Sequence, residues 1–290
     1  MLKIVENRKI WFTISLVIIA IGMITWGVRG LNYGIDFYGG TVVQVDLKKQ
    51  VDTEEIRKIA AKYTDDAAVQ TVDETGIILR SSSITPEDVE KFKAEINDKY
   101  KVDPATWQNE TVGPSIGDES RKNAILAVAI AVIAILIYVA IRFEIRFGVA
   151  AIIALLHDLL VTISVYAVLQ IPVNGSFIAA ILTILGYSIN DTIVIFDRIR
   201  ENMRTMRKAS FDEVADVSIT QTLSRSINTS LTTLFTITAV YFVGVNAVKE
   251  LALPLIIGII AGSYSSIFIA SPIWVMWKNA DKKKKAAVNA

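Results

Sequence analysis

The chain has 290 residues, 52% of them hydrophobic, and a mean hydropathy of +0.46, more apolar content than a soluble domain of this size carries. It has no cysteine and one histidine, His157, which excludes disulfides, thiolate metal sites and any multi-histidine metal centre. The formal net charge of +1 conceals a strongly uneven placement of basic residues.

Taken in chain order, the first apolar run is Ile10–Val28. It is too long, and lacks the small-residue cleavage site, for a removable signal peptide, so a retained first helix is expected. The next segment, 31–120, reads as a folded soluble domain. Thr41–Leu47 alternates and is β-branched, as a strand requires. Asp52–Tyr63 reads as a helix, capped by Asp52 or Thr53, with Ile56, Ile59 and Ala60 on one face. Ala67–Asp73 and Ile77–Ser81 flank Glu74-Thr75-Gly76 as a hairpin. Thr85-Pro86-Glu87-Asp88 opens a helix running to Tyr100, and Thr106–Val112 makes a last strand. The order β-α-β-β-α-β is that of a ferredoxin-like split βαβ unit. Its acids outnumber its bases 18 to 10, the composition of a solvated surface or of an acidic docking face.

Five further apolar runs follow: Asn123–Ile141, Phe147–Leu169, Phe177–Phe196, Ser226–Val245 and Leu251–Trp277. Each is long enough for a hydrocarbon core about 30 Å thick; the last is long for one crossing and carries Pro254 and Pro272 near its ends. Basic residues near span ends stay on the cytoplasmic side. Lys3, Arg8 and Lys9 precede the first span and Arg142 and Arg146 flank the second turn. Arg198 to Lys208 follow the fourth span, and Lys278 with Lys282 to Lys285 follow the sixth. The alternate connections, Gln170–Ser176 and Gly244–Glu250, hold Lys249 alone. Both termini are therefore expected in the cytoplasm and 31–120 outside. The expected organisation is 1–30 N-terminus and first helix, 31–120 outer domain, 121–277 five-helix bundle, and 278–290 basic tail.

Charges inside a bilayer are costly and tend to be functional. Asp191 lies in the fourth span with Thr183, Tyr187 and Asn190 forming a polar stripe. Arg225 opens the fifth, followed by Asn228, Thr229, Thr232, Thr233 and Thr236. Asp158, preceded by His157, lies near the middle of the third. A carboxylate among apolar helices near an arginine can load and release a proton as water access changes, so a proton relay through Asp191, Arg225 and Asp158, lined by Tyr187, Asn190, Thr229 and Thr233, is one reading. A permanent Asp191–Arg225 ion pair fixing helix register is the other, and His157 could simply satisfy Asp158. Gly258, Gly262, Ser266 and Ala270 form a small-residue seam for helix packing. The stretch Asp197–Arg207 continues the fourth helix as a solvated face or a docking site, and the lysine tail is expected at anionic membrane lipid. There is no phosphate-binding loop, so ATP is not expected as the energy source within this chain. No hydrolytic or metal constellation appears, nor a nucleic-acid partner.

Several of these residues form long motifs. Gly34-Ile-Asp-Phe-Tyr-Gly-Gly-Thr41 resembles the signature G-[IL]-D-F-x-G-G-T of the SecD/SecF family. Gly186-Tyr-Ser-Ile-Asn-Asp-Thr-Ile-Val-Ile-Phe-Asp-Arg-Ile-Arg-Glu-Asn202 resembles that family's fourth-span signature, and Val112-Gly-Pro-Ser115, Arg142-Phe-Glu144, Leu156-His-Asp158 and Ser218–Arg225 match as well. The resemblance covers essentially the whole chain, and Arg142-Phe-Glu144 with the short outer domain resembles its SecF branch. It implies half of a twelve-span resistance–nodulation–division bundle and a SecD partner supplying the other half. It also implies association with the SecYEG channel and SecA, and use of the proton motive force to move a preprotein on the outer face. Asp191 and Arg225 match the family's proton-pathway positions, and Gly39 and Gly40 positions near a hinge, a role that glycine's backbone freedom also suits. No cofactor is implied. A non-conducting scaffold subunit and half of an efflux transporter are the competing expectations; about 90 residues filled by two helices and four strands leave little room for a drug pocket.

Overall fold

The computed structural model describes residues 3–72, 75–142 and 144–288. Tyr33–Ile125 forms one compact unit and the membrane helices form another.

The outer unit begins with a short helix α2 (Ile35–Tyr38), then β1 (Gly40–Asp46), α3 (Thr53–Ala60), β2 (Ala68–Val72), β3 (Gly76–Ser81), α4 (Pro86–Tyr100), a 3₁₀ turn at Pro104–Thr106 and β4 (Gln108–Val112). The sheet order is β2-β3-β1-β4 with every pair antiparallel, the ferredoxin-like arrangement. Thr41 faces Ser81 on one side and Thr111 on the other. Val43, Val45, Ile77 and Leu79 from the sheet and Ile56, Val89, Phe92 and Ile96 from the helices make the core. Asp52 is the α3 cap, accepting from the Glu54 N–H at 2.9 Å, and Thr85 caps α4 by accepting from the Asp88 N–H at 3.2 Å. Part of the expected hairpin turn, Asp73 and Glu74, lies outside the described residues.

The second unit holds α1 (Arg8–Arg29), α5 (Pro114–Arg142) from Leu126 onward, α6 (Ile145–Leu169), α7 (Gly175–Thr205), α8 (Phe211–Val243) and α9 (Asn246–Ser265), which runs through a π-helical turn (Ser266–Ala270) into α10 (Ser271–Val288). Six of these stretches are long and apolar enough to cross a membrane. The helices outrun the apolar runs because their polar ends are helical too. The fifth starts at Phe211 rather than Ser226, where Ser210 accepts from the Glu213 N–H at 3.1 Å, a capping box. The last starts at Asn246 rather than Leu251, so Pro254 lies inside α9. Of the stretch Asp197–Arg207 expected to continue the fourth helix, the part to Thr205 belongs to α7, and Met206 caps the helix so that Arg207 lies beyond its end.

Helix α9 packs against α6, α7 and α8, while α1 packs on α6. About half of the apolar windows of α6, α7 and the α9–α10 helix is buried, whereas α1, α5 and α8 bury only about a tenth of theirs. The first three are the core of the bundle; the others present their sides outward.

Candidate functional site

The centre of the bundle is polar. α6 carries Gly148, Ala150, Ala151 and Ala154 on its buried face, and such small side chains admit neighbouring backbones. On α9, a Cβ at Gly258 would lie 2.2 Å from Ile184 Cδ1 and one at Gly262 3.0 Å from Ser188 Cβ, so both glycines stand where α9 meets α7.

Asp158 is fully buried on α6. Its Oδ2 accepts from Ser188 Oγ of α7 at 2.6 Å and from Ser265 Oγ of α9 at 2.9 Å. Its Oδ1 lies 3.0 Å from His157 Nδ1, and His157 Nε2 lies 2.9 Å from Ser15 Oγ of α1. An anionic carboxylate only accepts. The consistent assignment has Nδ1–H donating to Asp158 and Ser15 O–H donating to Nε2. Four helices thus converge on one carboxyl group, with the His157 ring stacked on Tyr264.

Asp191 is buried on α7, three residues and so about 4.5 Å of rise beyond Ser188. Its partner is Ser230 Oγ of α8 at 3.4 Å, and Ser230 accepts in turn from Ser263 Oγ of α9 at 2.6 Å. Thr192 and Ser266 share a further hydrogen bond at 3.0 Å. Each of the two carboxyl groups therefore has its own hydroxyl partners, Asp158 on α7 and α9 and Asp191 on α8 with α9 behind it.

Arg225 is not part of that cluster. It is exposed on α8, and no ion pair joins it to Asp191 among the described residues. Tyr187 donates to Thr233 Oγ1 at 3.4 Å. Thr229 and Thr233 return their hydroxyl protons to Arg225 O and Thr229 O, each at 2.9 Å, and Asn190 is exposed. These residues form a polar stripe on the outward side of α7 and α8.

The outer unit's glycines are constrained. Gly39 has φ +78° and Gly40 φ +126°, the region that a side chain rarely enters. A Cβ on Gly40 would lie 2.6 Å from Ser81 O. The loop behind it is fixed by Asp66, which accepts from Thr64, Ser81, Ser82 and Ser83. Partial burial works against its ionisation, but these hydrogen bonds hold the Asp66 carboxyl well below the ordinary carboxylate range.

Sequence reasoning missed Ser15, Ser188, Ser263 and Ser265 as ligands of the polar centre, and missed Asp216. That residue is buried near the start of α8, and its Oδ1 accepts from the N–H groups of Ile4 and Val5, both at 3.0 Å. An acid three residues after a capping box was the available signal.

A six-helix bundle with buried carboxyls at its centre, in one chain with a ferredoxin-like unit, defines a class: membrane proteins of several apolar spans that carry a small α+β domain. The family model for the protein export membrane protein SecD/SecF, C-terminal, matches residues 91–280, and the SecD/SecF GG motif matches residues 24–51. The protein translocase subunit SecF of Desulfurispirillum indicum is 39% identical over 276 residues, covering 91% of this chain and 88% of the relative. The SecF subunit of Vibrio alginolyticus is 41% identical over 271 residues, covering 91% of this chain and 86% of the relative. The crystal structure of SecDF, a translocon-associated membrane protein from Thermus thermophilus, superposes with a TM-score of 0.89 at 36% identity, over 96% of this chain and 39% of that one. The chain belongs to the SecD/SecF family; it spans most of the length of relatives named SecF and about two-fifths of the longer SecDF chains.

Proposed function

We propose that this chain is the SecF half of a proton-coupled motor, which with SecD uses the proton motive force to drive or complete preprotein translocation on the outer side of the membrane, after SecA has acted at the SecYEG channel. The termini lie in the cytoplasm and 31–120 outside the cell membrane, as the distribution of basic residues favours. The reading is supported by the family, by relatives in which SecD and SecF form one chain, and by one observation above all. Asp191 is buried yet held by one long hydrogen bond, at the end of a hydroxyl chain that reaches α9. A carboxyl so loosely held can change its protonation state without dismantling the bundle. The polar stripe of α7 and α8, which includes Arg225, faces outward where SecD would cover it and bring charge and water to Asp191. Gly39 and Gly40 act as the hinge of the outer unit. One proton crossing 100 mV supplies about 2.3 kcal/mol, enough for modest conformational work per cycle.

Asp158 fits the scaffold reading better. Its three donors from three helices satisfy it in place, so it acts as the register pin of the bundle. The test is Asp191→Asn, which preserves size and hydrogen bonding but abolishes titration. Export into membrane vesicles should lose its response to an imposed proton gradient while ATP-driven export remains. A full gradient response in that variant would leave the scaffold role standing and remove the relay.

A further inference from the structure

Beyond the apolar run of α7, which ends at Phe196, a groove of about 340 Å³ opens between the ends of α5 and α7, lined by Arg142, Asp197, Arg200, Glu201 and Arg204. We propose that this groove binds the phosphate headgroup of an anionic phospholipid. Its two acids are already engaged, Asp197 by Arg142 at 3.6 Å and Glu201 by Arg198 at 2.6 Å. Arg200 and Arg204 are exposed, stand four residues apart on one face of α7, and form no ion pair among the described residues. Two free guanidiniums side by side offer the bidentate donor geometry that phosphate oxygens accept.

Depth and surroundings favour a lipid over a free ion. Arg200 lies about 6 Å beyond Phe196 along the helix axis and Arg204 one turn further, which places them at the headgroup layer flanking a hydrocarbon core about 30 Å thick. Next to the groove, Ile141 and Ile145 flank the α5–α6 turn with 83% and 74% of their surfaces exposed. Acyl chains would lie on that apolar ledge while the phosphate meets the arginines. A free phosphate has no use for the ledge. The site is independent of the proton-relay reading, since it shares no residue with it.

The test is native mass spectrometry of the full chain in neutral detergent, titrated with phosphatidylglycerol and separately with phosphatidylcholine. The wild type should retain phosphatidylglycerol selectively. At about fivefold per surface cation, R200Q/R204Q should weaken that binding roughly 30-fold and leave phosphatidylcholine unchanged. R200K/R204K, which keeps the charge but loses the planar fork, should recover only part of it, separating loss of the site from loss of the fold. A tail variant with Lys282 to Lys285 replaced by Gln should still retain the lipid. Undiminished phosphatidylglycerol binding by R200Q/R204Q would overturn the assignment. So would its full displacement by millimolar inorganic phosphate, which would make the groove a simple anion pocket.

Discussion

Removing the Asp158 carboxyl should be among the most damaging single changes in the bundle, and the structure sets its size. Three hydrogen bonds end on that side chain, from Ser188, Ser265 and His157. Hydrogen bonds between membrane helices have measured values of about 0.6 to 1.7 kcal/mol, so Asp158→Ala should cost about 2–5 kcal/mol. For a chain of this size that lowers the melting temperature by roughly 4–20 °C. Asp158→Asn is the informative contrast. Its carbonyl oxygen can keep both serine hydroxyls, and its amide can face His157 Nδ1 if the imidazole moves its proton to Nε2, so its melting temperature should fall by a small part of that amount. The assay is intrinsic-tryptophan thermal unfolding of the detergent-solubilised chain, with Ser265→Ala as a third variant losing one bond. If Asp158→Ala melts with the wild type, the carboxyl holds nothing together and the register-pin argument fails. If Asp158→Asn is as damaging as Asp158→Ala, negative charge rather than hydrogen-bond geometry is what the site requires.

Asp216→Ala orphans two buried backbone donors and should cost about 2–5 kcal/mol locally, seen as fast hydrogen exchange at Ile4 and Val5. Asp216→Asn should be far milder, because both bonds end on one oxygen that the amide retains. Gly40→Ala forces a side chain into a positive-φ position against Ser81 O; a cost of about 1–3 kcal/mol should appear as faster proteolysis within the outer unit of the full chain. Tyr100 is pushed up to about 12 by burial and by its hydrogen bond to Glu55. Its folded value is raised, so its contribution is complete below the ordinary tyrosine value of 10.0 and disappears as pH rises through about 12. Thermal scans between those limits should show the outer unit weakening, and Tyr100→Phe should flatten that dependence.

The spans and the outer unit were legible because hydropathy and alternation report directly on burial: Val43 and Val45 alternate with Val42 and Gln44 as a half-buried strand must. The starts of α8 and α9 were not, because polar helical turns leave no hydropathy signal and the Ser210 to Glu213 capping box was passed over. Asp158 and Asp191 stood out since an acid in an apolar run is rare. Their partners did not, since serine is common in membrane helices and the ligands of Asp158 come from positions as far apart as Ser188 and Ser265. Asp216 lay in a stretch read as a connection, where an acid draws no notice. Arg225 shows the converse: a sequence pairing with Asp191 that the folded chain does not make.

The threonines of α8 give one further constraint. Thr229, Thr232, Thr233 and Thr236 each donate to a main-chain oxygen one turn earlier. A hydroxyl that has given its hydrogen away offers only lone pairs. These four threonines therefore form a patch on α8 able to receive hydrogen bonds but not to give them. Whatever lies against it, whether a helix or a file of water molecules, must point its hydrogens inward, and so arrives with its polarity already chosen.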